Sequence, residues 1–146
     1  QTATAAGLKV GCYFFSQAIS PEEARQEAAY VLERVHDWDI QMPIVYDWEY
    51  ISAEARTANV NPRTLTDCAL AFCAIIEEAG YTPMAYFNTY QSRSLMHLTE
   101  LEAYPFWLAL YQDRMTYPYR VEMWQYTDKG RVPGIDGDVD INVYMP

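Results

Sequence analysis

The chain reads as an α/β fold: an irregular, TIM-like (β/α) barrel with few helices, N-terminally incomplete. Three observations predict it. Apolar, β-rich runs alternate with segments of helical period, the pattern of parallel strands joined by crossover helices. Polar and aromatic side chains collect at the ends of the strands rather than at their starts, as they do where active groups gather on the C-terminal rim of a barrel. The chain has 146 residues, whereas a complete eight-stranded barrel takes roughly 200 or more.

The elements follow in order. Gln1–Gly7, rich in alanine and threonine, reads as the tail of a helix, so that the fold starts midway. Val10–Phe15 is the first strand. Ser20, Pro21 and Glu23 then supply an N-cap, a first-turn proline and the acid of a capping box. They open a helix over Pro21–Val35 whose Ala24, Ala28, Val31, Leu32 and Val35 recur at three- and four-residue spacing. Met42–Glu49 is the second strand. Asn61 and Pro62 begin a second helix that Gly80 stops. Pro83–Asn88 is the third strand, Tyr90–Leu101 a short helix, and Phe106–Tyr111, Val121–Tyr126 and Val139–Tyr144 are three more strands. Six strands and about three helices make one domain over residues 1–146, without repeat or linker. Strands missing before the first would leave exposed edges that invite self-association.

Composition excludes several classes. Ten Lys and Arg against twenty Asp and Glu give a formal charge of −10, which opposes binding to phosphate backbones. No apolar run reaches a membrane span, and residues 1–7 lack the blocks of a signal peptide. Cys12, Cys68 and Cys73 read as buried free thiols. His36 and His97 have no ligand partner nearby, so neither a metal nor another cofactor is expected. Thirteen Tyr, four Trp and five Phe make up 15% of the chain. Much of this is core, and the rest suits a cleft in which flat rings stack on sugars.

The segment Pro43–Glu49, PIVYDWE, carries the chemistry. In a strand, residues i and i+2 share a face about 6.5–7 Å apart. Asp47 and Glu49 therefore project together, while Tyr46 and Trp48 pack under the helices. Like charges held close raise the pKa of at least one group, the state a general acid needs. Alone, the pair reads equally well as solvated loop carboxylates. Alternation aims further groups at the same centre: Tyr13 and Phe15, Tyr86 and Asn88, Trp107 and Tyr111, Gln125, and Asp140 with Asn142. Each aromatic taken singly is core; their convergence is not.

In the order GLKVGCYFF, EARQEAAYVL, PIVYDWE, GYTPMAYFN, YPFWLALY, VEMWQYT and GIDGDVDINVY, the chain resembles glycoside hydrolase family 25, the Chalaropsis-type muramidases. The resemblance implies a barrel with fewer than eight helices and cleavage of the β-1,4 bond between N-acetylmuramic acid and N-acetylglucosamine in bacterial peptidoglycan, outside the cell or at its wall, with a phage endolysin as one origin. It implies Glu49 as general acid beside Asp47, with Asp140 completing the acidic cleft. Tyr13, Tyr86, Asn88, Trp107, Tyr111 and Gln125 would line the sugar sites. Two departures stand out. Phe14 occupies the place of a family histidine, which implies a lost polar contact. The family's opening strand with its DxS motif has no counterpart, which implies a weak or inactive catalyst. A glycan-binding module without turnover is the alternative from another class, and a purely structural role is a third.

Overall fold

The computed structural model describes residues 2–146, which form one curled sheet of six strands with helices on its convex side. The first helix, α1, spans Thr2–Ala5. It is followed by Gly7 at φ +79°, a left-handed conformation that glycine adopts without strain. Strand β1 is Cys12–Phe15, helix α2 Pro21–Val35 and strand β2 Ile44–Asp47. Ser20 caps α2 by accepting the Glu23 N–H, with Pro21 in the first turn, as the capping pattern requires. Helix α3, Pro62–Glu78, is capped by Asn61 and ends before Gly80 at φ +87°. Strand β3 is Pro83–Asn88.

Where one helix was expected over 90–101, two short ones occur: α4, Thr89–Ser94, and α5, Leu98–Leu101. The break at Leu95–His97 buries Met96 in the core, a tertiary demand that local propensity does not carry. Strands β4, Phe106–Ala109, β5, Met123–Gly130, and β6, Val139–Tyr144, complete the sheet. Here β4 is shorter than expected and β5 begins and ends later.

The strand order is β1-β2-β3-β4-β5-β6. Every neighbouring pair is parallel except β5 and β6, which are antiparallel. The alternation of strands and helices predicted parallel pairing throughout. The β5–β6 connection instead turns within 131–138, with Gly134 and Gly137 at positive φ, and is too short for a parallel crossover. Two register irregularities interrupt this ladder, between Gln125 and Thr127 and between Thr127 and Gly130.

Alternation along the strands sorts two cores. Ile44, Tyr46, Phe87 and Leu108 face the helices together with Trp48, Leu65 and Phe72. Val45, Met84, Tyr86 and Ala109 form a smaller cluster on the concave side, against Trp107 and Met123. The curl is measurable. Along a flat sheet β1 and β4 would lie about 14 Å apart, yet the rings of Tyr13 and Trp107 meet at 6.3 Å across the concave side. At the foot of that side is an apolar cavity of about 210 Å³ lined in part by Gly11, Val45, Trp107 and Met123. A Cβ on Gly11 would lie 2.5 Å from the Pro43 carbonyl oxygen and 2.8 Å from Met42 Cβ. Gly11→Ala is therefore expected to cost about 1–3 kcal/mol, as overpacking does. A lower urea midpoint at an unchanged m-value would register it.

The three cysteines are free, Cys68 and Cys73 buried and Cys12 half-buried. Among the described residues no helix is long and apolar enough to cross a membrane.

Candidate active site

Asp47 is the last residue of β2, in register with Phe15 of β1 and Tyr86 of β3. Its side chain turns into the concave side, and the residue is only 6% exposed. Oδ1 is buried without a hydrogen-bond partner. Burial first, then the charges of Glu49 and Asp140, push its carboxyl up to about 7. Desolvation penalises the charged form and neighbouring carboxylates add to the penalty, so the causes act in one direction.

The ladder ends at Asp47, so Glu49 is held by the turn that follows the strand. Gln91 of α4 supplies the anchor. Its Nε2 donates to the Trp48 carbonyl between the two acids, while its Oε1 accepts the Asn88 N–H. Sequence reasoning missed Gln91, although Asn88-x-x-Gln91 is a legible capping box. Glu49 is half-buried, and its carboxyl is raised by desolvation and then by Asp140. The stronger displacement thus falls on Asp47, the more deeply buried acid.

The expected side chains divide by what they touch. Tyr86 and Tyr111 donate their hydroxyls to Gln125 Oε1, at 3.3 and 2.8 Å. Asp47, Glu49 and Asp140 act on these phenols, and Asp128, which sequence reasoning did not single out, acts on Tyr111. Burial raises both phenols first. Trp107 packs edge-on against Tyr86 at 4.9 Å and against Tyr13, and its indole N–H donates to Asn142 Oδ1 at 2.8 Å. Tyr13 and Phe15 stand on one face of β1 and remain 61% and 40% exposed. Asp140 and Asn142 are exposed on β6, next to the register irregularities, a feature that re-aims side chains. Asn88 lies at the end of β3, but its Oδ1 caps α4 by accepting from Tyr90 and Gln91. Its amide NH₂ is what it can offer a ligand.

Phe14 corrects an expectation. It packs on the helix side, 6.1 Å from Tyr30 and 6.5 Å from Phe72, so phenylalanine at this position removes no polar contact from the concave face. Gln125 departs from its expected place as well: it is 3% exposed and occupied by two tyrosines. Tyr46 and Trp48 are buried on the helix side, as read from alternation.

A buried, proton-holding acid next to a second carboxylate, under a wall of aromatic rings, is equipment for acid catalysis on a ring-shaped polar substrate. Residues 1–135 match the model of the glycosyl hydrolases family 25. The chain belongs to that family. Among solved structures the family 25 fold recurs in the CTP1L endolysin, 26% identical with TM-score 0.77 over 97% of this chain and 49% of that one. The modular autolysin LytC from Streptococcus pneumoniae is 24% identical, with TM-score 0.84 over 98% of this chain and 35% of its own. A family 25 glycosyl hydrolase from Bacillus anthracis is 20% identical, with TM-score 0.78 over 97% and 66%. This family 25 chain thus spans about half the length of the first and a third of the second. No curated protein matches it.

Proposed function

We propose that this family 25 chain acts as a muramidase, cleaving the β-1,4 bond between N-acetylmuramic acid and N-acetylglucosamine in bacterial peptidoglycan, at the cell wall. The observation that carries the proposal is the state of the acid pair: Asp47, buried with an unpartnered Oδ1 and a carboxyl near 7, two residues from a half-buried Glu49 that is itself raised. LytC, solved with a synthetic peptidoglycan ligand, supports the substrate class.

In this reading Glu49 donates a proton to the glycosidic oxygen as the leaving sugar departs through an oxocarbenium-like transition state. Asp47 Oδ1 accepts the N–H of the substrate's N-acetyl group and orients its carbonyl oxygen as an internal nucleophile, the substrate-assisted route. A bond donated to Asp47 favours its ionised form. Substrate binding therefore moves the proton shared by the pair toward Glu49, where it is used. Tyr13 and Trp107 offer ring faces and edges to the sugars. Asp140 keeps the cleft negative, which raises both acids and favours the positive charge that develops in the transition state.

Incubating the chain with purified peptidoglycan, reducing the products with borohydride and identifying the new ends by mass spectrometry tests the bond. Reduced muramic acid at the new ends is expected. Reduced glucosamine ends would assign the cleavage to the other bond. Pelleting with the cell wall and no new ends would mark a glycan-binding module.

A further inference from the structure

Gln125 of β5 lies at the centre of the strand-end cluster, 3% exposed, and touches no group that an exposed sugar contact would need. Its Oε1 receives the hydroxyls of Tyr111 at 2.8 Å and Tyr86 at 3.3 Å. The two hydroxyls also interact with each other. A phenol carries one proton, and an amide oxygen has two lone pairs. Both protons are consumed inside the trio: that of Tyr111 on Gln125, that of Tyr86 on Gln125 or on Tyr111.

The consequence reaches the acids. The charged and titratable groups around the trio are Asp47 and Glu49 at the end of β2, Asp128 on β5 and Asp140 on β6, and none is a cation. A tyrosine beside a carboxylate ordinarily donates to it and so stabilises its ionised form. Here the phenol oxygens have only lone pairs to present. Asp47 Oδ1, buried and without a partner, is the visible result.

We propose that Gln125 is a positioning residue that captures the phenol protons of Tyr86 and Tyr111, denying Asp47 and Glu49 the donors that would favour their ionised forms. The proposal rests on the reading of these two residues as the working acid pair. It assigns to an uncharged side chain, with no contact to the reacting bond, control over how long the pair holds its proton as pH rises.

Gln125→Leu and Gln125→Glu separate this role from simple packing, because they predict opposite signs. Leucine frees both phenol protons to turn toward the carboxylates. Glutamate keeps the acceptor and adds a like charge. Two readouts apply: carbon-13 NMR titration of the Asp47 and Glu49 carboxyls in the resting protein, and the alkaline limb of kcat/KM on peptidoglycan. In Gln125→Leu both are expected to fall by about one pH unit, and in Gln125→Glu both should rise. Adding Tyr86→Phe to the leucine variant removes one freed donor and is expected to return part of the shift. Should the leucine variant fail to fold, Gln125→Met keeps the length of the side chain and carries the same expectation. Carboxyl titrations that stay in place in a folded leucine or methionine variant overturn the proposal. Because the NMR titration needs no substrate, a shift of the expected sign without any turnover would uphold the role of Gln125 and defeat the muramidase reading instead.

Discussion

Glu49→Gln is expected to lower peptidoglycan turnover by about 10²–10⁴, the range that a general acid contributes, with the fold intact. The amide has the shape of the carboxyl group but no acidic proton. Glu49 is half-buried and stands beyond the last ladder residue of β2, so no strand pairing depends on its charge. Removing it also removes a like charge beside Asp47, whose carboxyl is raised in part by Glu49, and the Asp47 titration should move down as activity disappears. Turbidity clearance of cell walls measures the first effect, and NMR titration the second. Clearance near the wild-type rate would rule out Glu49 as the acid.

Asp47→Asn should show loss of function and gain of stability in one substitution. The asparagine amide cannot stabilise the positive charge that develops as the N-acetyl group attacks, so kcat is expected to fall by about 10²–10³ with KM little changed. A rise in KM with kcat retained would make Asp47 a substrate contact only. The gain in stability follows from linkage. The native carboxyl titrates near 7, above the value of about 3.9 for an unfolded Asp. Between about pH 4 and pH 7 the unfolded chain has released this proton while the native protein retains it. The native state thus binds more protons, and stability falls as pH rises through that window. Above pH 7 the native protein carries a buried carboxylate at a cost that asparagine avoids. Allowing for solvent screening and the coupling to Glu49, the variant should gain on the order of 1–2 kcal/mol at pH 8, a rise of several degrees in Tm. At pH 4 the two proteins should melt alike. A variant no more stable at pH 8 than at pH 4, relative to wild type, would contradict the buried charge.

Much of the fold is legible in the residues. Ser20 with Pro21 and Asn61 with Pro62 mark the starts of α2 and α3 because caps and first-turn prolines act through local geometry. PIVYDWE places Tyr46 and Trp48 opposite Asp47 because a two-residue period fixes the faces of a strand. The break between α4 and α5 was not legible, since Met96 leaves the helix to reach a core assembled from distant segments. Nor was the reversal of β6, which depends on the short glycine-bearing connection rather than on any pattern within the strand.

The site divides along the same line. The sequence by itself determined which side chains stand at the strand ends, since alternation and motif order are properties of the chain. Only the tertiary structure decided what they do to one another. It put the larger pKa displacement on Asp47 rather than Glu49, because displacement follows burial and neighbouring charge, and both arise when six strands curl around one axis. It turned Phe14 toward the helices and occupied Gln125 with Tyr86 and Tyr111 from two other strand ends. It set Trp107 against Tyr13, three strands away in the sheet, because curvature shortens a distance that the order of strands along the chain leaves open.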